Sequence, residues 1–333
     1  MEKRIGFLSF GHWQPIPGSQ VRTGRDALVQ SVELAVAAEE LGVDGAYVRV
    51  HHFARQLASP FPLLAAMAAR TSRIEIGTGV IDMRYENPLY MAEEAAAADL
   101  ISGGRLQLGV SRGSPETALN GAESFGYSVD AEASRQKALT FLEAIDGATV
   151  ARTDPARTGV SGGLAIQPQS PGLRDRIWWG AGSRATAEWT AEQGMNLMSS
   201  TLLTEDTGVP FHQLQAEQIQ RFRDAWAAAG HEREPRVSVS RSIFPIVSEL
   251  DRQLFWRERH STDQVGHLDG GDARFGKTYA GEPDQLARDL AEDEAIAAAD
   301  TLLLTVPNQL GVDYNAHVIE SLLKYVAPEL GWR

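Results

Sequence analysis

Residues 74–113 read IEIGTGVIDMRYENPLYMAEEAAAADLISGGRLQLGVSRG, and this stretch contains a complete strand–helix–strand unit. IEIGTGV and RLQLGVS are short, nearly continuous apolar runs, the pattern of strands buried on both faces in a parallel sheet. Between them, Asn87 is placed to cap a helix that starts at Pro88, runs through MAEEAAAADLI and stops at Gly103 and Gly104. Proline is preformed for a first helical turn, and glycine for the left-handed exit.

The same punctuation extends in both directions. Apolar, β-branched runs begin near Arg4 (RIGFLSF), Gly45 (GAYVRV), Ile74, Arg105, Arg176 (RIWWGAG), Met195 (MNLMSS), Val237 (VSVSRSIFPIV) and Thr301 (TLLLTVP). Most are followed by a helical pattern. From Asp26 to Leu41, Leu28, Val32, Ala35, Ala38 and Leu41 fall at helical spacing, with Gly42 in the C-terminal position. Eight strands alternating with helices, and neither a polar linker nor a repeat to divide them, predict a single α/β domain over residues 1–333, a (β/α)8 TIM barrel rather than an open doubly wound sheet. Three segments are too long and polar for ordinary connections: Gly113 to Asp130 after the fourth strand, Gly147 to Arg174 in the middle of the chain, and Ser248 to Pro283 after the seventh. The last, 248–283, sets Phe255, Trp256 and Phe275 among many charges and is expected as a lid on the catalytic rim.

Composition narrows the function classes. The 333 residues are 43% hydrophobic and 23% charged, with a formal net charge of −13, values of a globular chain that repels nucleic acid and anionic membrane. No apolar run is long enough to span a bilayer, and MEKRIGFLSF passes directly into a strand without the features of a signal peptide, so a cytoplasmic location is expected. With no cysteine, disulfides, thiolate metal sites and a cysteine nucleophile are all absent.

In such a barrel, chemistry collects where strands end, and those positions are rich in polar residues here. The second run ends in His51 and His52, the third in Gly77, Thr78 and Gly79, the fourth in Ser111, Arg112 and Gly113, the fifth in Gly182 and Ser183, and the sixth in Ser199 and Ser200. Strand alternation sends His51 and His52 to opposite sides, which disfavours a shared metal; either a functional imidazole or one that merely caps a strand end fits the spacing. Arg112 at the barrel mouth reads as an anion-binding fork or as half of a salt bridge to a helix acid. GAGSRATAEWTAEQG is a strand-to-helix turn in which Ser183 either caps the helix or, with the neighbouring amides and hydroxyls, also cradles a phosphate. Trp178 and Trp179 alternate, one towards the barrel interior and one towards the helices.

HHF, SGGRLxLGVxRG and a GxS turn, in that order, resemble the luciferase-like flavin monooxygenase family, which also holds deazaflavin-dependent relatives. The similarity runs from AAEELGVDGAYVRVHHF through residues 64–113 to IWWGAGSRATAEWTAEQGMNLM and takes in the later YAGEPDQLARDL. The resemblance implies that His51 is the active-site histidine, that Arg112, Ser183 and Thr186 hold the cofactor phosphate with Ser111 and Gly182 beside them, and that a cis peptide joins Gly79 and Val80 beneath the flavin ring. It further implies reduced FMN delivered by a separate flavin reductase, O2 as co-substrate, a small organic substrate, and a homodimer built on the alanine-rich helices Pro60 to Thr71 and Pro88 to Ile101. Ser111 stands where the luciferases carry a reactive cysteine, and Val50 where an acid precedes their histidine pair; both argue against aldehyde-oxidising, light-emitting chemistry. Hydride transfer with a deazaflavin is the alternative activity, and a flavin-binding module without turnover the alternative of another class.

Overall fold

Strands apolar at consecutive positions have no polar face to leave in water, and this chain satisfies them by closing the sheet on itself. The computed structural model describes residues 2–113, 118–205, 207–268 and 271–333. Its barrel consists of β1 (Arg4–Ser9), β2 (Gly45–Val48), β3 (Glu75–Asp82), β4 (Leu106–Ser111), β5 (Ile177–Ala181), β6 (Asn196–Ser199), β7 (Val237–Arg241) and β8 (Thr301–Val306). All are parallel, one for each apolar run, and β8 pairs with β1 from Thr301↔Arg4 to Val306↔Ser9 to close the ring. The (β/α)8 expectation therefore holds.

The interior is packed, not hollow. Leu8, Tyr47, Trp178, Met198 and Leu303 form a buried cluster of their own inside the strands. Neighbouring strands make room for these side chains with glycine: a Cβ on Gly77 would stand 2.8 Å from the Tyr47 ring, and one on Gly109 2.8 Å from the Met198 sulfur. Trp178 donates its indole N–H to Gln107 Oε1 at 2.8 Å. At the amino ends of the strands, Arg236 grips Glu75 with two bonds of 2.9 and 3.1 Å and lays its guanidinium 4.9 Å from the Trp178 ring centroid. Trp179 faces outward, as alternation requires, and packs edge-on against Trp189 at 4.7 Å.

The surrounding helices follow the sequence signals closely, with one shift of face. Helix α1 (Gly24–Glu40) begins with a capping box between Thr23 and Asp26. Its buried stripe is Ala27, Ser31, Leu34, Ala35 and Ala38, whereas Leu28 is 45% exposed. The expected face through Leu28 is thus rotated by one residue. Ser31 is tolerated inside because its hydroxyl donates back to the Ala27 carbonyl at 2.7 Å, leaving no unpaired polar group. Helix α2 spans Pro60–Arg70. Helix α3 (Pro88–Ser102) has Asn87 as its N-cap and Gly103 in the left-handed C-cap position, as its punctuation predicted. The alanines Ala92, Ala95, Ala96 and Ala98 on α3 are buried in the chain's own core, so their small size serves packing within the barrel.

The seventh apolar run divides. After Arg241 the backbone leaves the barrel, and Ile243–Pro245 pairs with Tyr279–Gly281 instead. Arg241 is buried against Asp293 at 2.8 Å. Within 248–283, a helix (Glu249–Phe255) leads to a hairpin of Gln264–Leu268 and Gly271–Phe275 that attaches to Leu202–Leu203; residues 269–270 lie outside the described ones, as do 114–117 in the segment after β4. Helix α4 (Ala131–Ile145) follows that segment, and the 147–174 excursion carries a minimal two-strand ladder, Ala151–Arg152 with Gly163–Leu164. Among the described residues, no helix is long and apolar enough to cross a membrane.

Asp99 fastens this excursion back to the barrel. Fully buried, its carboxylate accepts from the Leu106 amide (3.1 Å), the Ser170 hydroxyl (2.6 Å) and Arg176 (2.6 Å). Asp99→Ala leaves all three donors without their acceptor, and the expected loss is about 3 kcal/mol of unfolding free energy, the lower end for a broken buried ion pair. Urea unfolding measures it; a loss below about 1 kcal/mol would show that water or a neighbouring carbonyl replaces the carboxylate.

Candidate functional site

The eight strands deliver their carboxyl ends to one rim, where one cavity collects the residues singled out from the sequence. His51 follows β2, Gly79 and Val80 lie within β3, Ser111 and Arg112 end β4, and Gly182, Ser183 and Thr186 connect β5 to helix α5 (Arg184–Glu192); all eight line this cavity, together with Ser199 and Ser200.

Its floor is apolar, because it is the top of the barrel plug: Leu8, Val80, Met198 and Leu303. The peptide between Gly79 and Val80 is cis, at the position that the resemblance implies. Gly180 faces this bond. A Cβ there would lie 3.2 Å from a Val80 methyl and 3.5 Å from Ser111 Cβ, so backbone rather than a side chain completes the floor on the β5 side.

The wall at β4 and β5 carries hydroxyls and a cation. Ser183 is the N-cap of α5: its Oγ accepts from the Thr186 amide at 3.3 Å and lies 2.9 Å from Thr186 Oγ1. The next amide, that of Arg184, donates to Glu205 at 3.1 Å, and the same carboxylate binds the Arg184 guanidinium at 3.1 Å. Capping thus uses two of the amides that a phosphate would otherwise take. An anion here relies on the Ser183 and Thr186 hydroxyls and on Arg112, which is exposed at the rim and has no acid partner among the described residues. Two fully buried glutamines brace this wall from helix α6 (Phe211–Ala229). Gln218 donates to the carbonyls of Ala181 (3.2 Å) and Ser183 (3.0 Å), and Gln215 to Ser199 Oγ and the Ser200 carbonyl, both at 2.9 Å.

The opposite wall comes from β1 and β2. Tyr47 points into the barrel, and beyond the end of β2 Arg49 and His51 line the cavity above it. His51 is half-buried and is held by its amide, which donates to the Leu57 carbonyl at 2.8 Å. His52 was expected to face away, yet it reaches the cavity too, with its ring stacked 4.1 Å from Tyr85. Strand geometry ends at Val48, before the histidine pair, so alternation no longer separates their side chains. The acid at the rim, Asp82, is bound by Arg84 through contacts of 2.6 to 3.1 Å. Gly113 sits over that pair at φ +96°, where a Cβ would stand 2.3 Å from Arg84 Nε; only glycine fits.

Two residues of this wall went unnoticed in the sequence, Phe10 and Arg49. Phe10 closes the apolar run RIGFLSF, and Arg49 interrupts GAYVRV, where a charge inside a buried strand was itself a signal. Burial lowers the Arg49 pKa, and its guanidinium stands 4.9 Å from the Phe10 ring centroid. Nearby His12 is held below its usual pKa, first by burial and then by the charges of Arg49 and His51.

Comparison with known proteins agrees with this architecture. The model of the family described as luciferase-like monooxygenase matches residues 4–320. The oxygenase component of a flavin-dependent trigonelline monooxygenase from Acinetobacter baylyi is 25% identical over 263 residues, 74% of this chain and 67% of that protein. An F420-dependent glucose-6-phosphate dehydrogenase from Kribbella flavida is also 25% identical, over 72% of this chain and 74% of that protein. Some curated relatives are matched over much less of their length, 29, 56 and 24% in three cases. In fold, the crystal structure of monooxygenase RslO1 from Streptomyces bottropensis superposes with a TM-score of 0.73 at 20% identity, covering 98% of this chain and 99% of that one. With a family model matched over nearly its whole length, a closed eight-stranded barrel and a cavity at the carboxyl ends of its strands, this chain belongs to the luciferase-like monooxygenase family.

Proposed function

We propose that this protein is a flavin-dependent oxidoreductase, the oxygenase half of a two-component monooxygenase. Reduced FMN comes from a separate reductase, one oxygen atom of O2 enters a small organic substrate, and the other leaves as water with the two electrons and protons that the flavin gives up. The observation that carries this reading is the polarity of one cavity: an apolar floor, and elsewhere in its lining an exposed arginine and two paired hydroxyls, suited to the phosphate at the end of the cofactor. The bound flavin supplies the redox chemistry. The protein's part is to hold the phosphate through Arg112, Ser183 and Thr186, to exclude water with Leu8, Val80, Met198 and Leu303, and to move a proton at the imidazole of His51. The name of the Acinetobacter relative supports a flavin. That of the Kribbella relative, equally similar, favours hydride transfer to or from a deazaflavin as the second reading. Oxygen uptake with reduced FMN and a reductase, against anaerobic turnover with the reduced deazaflavin, separates the two, and turnover in either excludes a binding module.

Arg112→Ala is expected to weaken FMN binding by about 1.5–3 kcal/mol, the range of a charge-assisted hydrogen bond, and to leave riboflavin binding nearly unchanged. Fluorescence titration of both ligands measures the difference, and equal losses would make Arg112 structural.

His51→Asn keeps a polar side chain of similar size. Product formation is expected to fall about 10² to 10⁴-fold, with folding and reduced-flavin binding retained. His52→Asn, whose ring is stacked on Tyr85, is the control; loss of turnover in this variant alone would transfer the role to His52.

We infer a homodimer in which a second copy covers α3. Tyr90 and Ile101, 68 and 57% exposed, lie on one stripe of that helix with Leu100 beside them at 49%. Sedimentation at micromolar concentration tests this, with Ile101→Lys expected to shift the protein to monomer; a monomeric wild type would refute it. The segment 248–283 is read as a cover for the cavity mouth, supported by the attachment of its hairpin to Leu202–Leu203 at the rim.

A further inference from the structure

Among the described residues, two guanidinium groups line the cavity without an acid partner, and the proposed phosphate site uses one of them. The other, Arg49, projects from the end of β2, separated from the β5 wall of Ser183 and Thr186 by β3 and β4. Among the described residues, its guanidinium has no hydrogen bond and no carboxylate; its one ring contact is the face of Phe10, 4.9 Å away. Among the described residues, Asp82, which lines the cavity, is engaged by Arg84, and Glu205 is engaged by Arg184. A desolvated cation with no counter-charge is unfavourable, and its fork of N–H donors is left for a ligand. The same burial lowers the pKa of Arg49, and that of nearby His12 is lowered first by burial and then by the charges of Arg49 and His51. All this occurs in a chain whose net charge is −13, so positive charge at this wall does not follow from composition. Phe10, the ring beside the fork, packs against the cluster that holds Leu8 and Leu303, so an apolar surface of the same cavity continues from the cation.

We propose that Arg49 and the face of Phe10 form an anion subsite for the substrate, distinct from the phosphate site at Arg112, so that the molecule acted upon carries a carboxylate or sulfonate attached to an apolar body. The carboxylate takes the guanidinium edge in a two-bond fork, and the apolar body lies along Phe10 and Leu303 towards the cavity floor and His51. Arg49 is here a specificity-determining residue. The proposal rests on the reading of this cavity as the reaction site, but the test below is independent of which cofactor binds.

Benzoate and its neutral counterpart benzamide are titrated into the protein by calorimetry, once with saturating FMN, which occupies the phosphate site, and once without it. Wild type is expected to bind benzoate at least ten-fold more tightly than benzamide in the presence of FMN. Arg49→Met, similar in length and uncharged, loses the preference, Arg49→Lys keeps part of it, and FMN affinity changes less than three-fold in both. Thermal melts confirm that the variants are folded, and the wild-type comparison stands without them. The proposal is overturned if wild type shows no preference or binds neither probe, if the preference survives Arg49→Met but disappears in Arg112→Met, or if Arg49→Met weakens FMN as much as benzoate. Should FMN fail to bind wild type at all, the flavin reading is lost, while the titration without FMN still decides whether Arg49 selects an anion.

Discussion

Trp178 is fully buried inside the barrel with its indole N–H on Gln107 at 2.8 Å and the Arg236 guanidinium 4.9 Å from its ring centroid, and Tyr47 and Leu303 belong to the same cluster. Arg236 and Glu75 pair on the amino side of this layer, and the cavity that collects the strand-end residues lies on its carboxyl side. The close approach of neighbouring strands and the filled interior together require the glycines of β3 and β4, since a methyl on Gly77 would stand 2.1 Å from the Gln107 carbonyl and 2.8 Å from Tyr47, and one on Gly109 2.3 Å from the Thr78 carbonyl and 2.8 Å from Met198. The filled interior also makes the cavity floor apolar: the upper side chains of the plug are the ones a ligand meets.

Around that floor the charges are sorted by pairing. Among the described residues, Asp82 is committed to Arg84 and Glu205 to Arg184, while Arg49 and Arg112 face the cavity without acid partners. Matched pairs of this kind and unmatched cations on two sides set the charge pattern of the described part of the cavity, in a chain whose net charge is negative. Buried glutamines brace this arrangement, because Gln215 and Gln218 donate to the carbonyls of Ala181, Ser183 and Ser200 where β5 and β6 run out into the site.

Much of this was legible in the chain before folding. The eight runs became the eight barrel strands, and Asn87, Pro88 and Gly103 marked the ends of α3 because capping is a local matter of orphan N–H and C=O groups. The eight candidate site residues lie around one cavity for a similarly simple reason: parallel strands end on the same side. Less legible was anything that depended on side-chain direction outside regular structure. His52 reaches the cavity because β2 ends at Val48, α1 buries Ser31 in place of Leu28, and the seventh run stops as a barrel strand at Arg241, whose side chain is buried against Asp293.

Local sequence therefore determined which segments are strands and helices, where they start and stop, and which residues stand at strand ends, since these follow from periodicity, capping and turn chemistry within a few residues. Tertiary structure decided which of the distant charges are matched. That Arg176 finds Asp99, 77 residues away, while Arg49 meets no carboxylate among the described residues depends on groups brought together from different elements, and no spacing along the chain encodes that meeting. The use of the α5 terminus was decided the same way, when Glu205, distant in sequence, took the Arg184 amide and left hydroxyls and an arginine, rather than bare backbone, to face the cavity.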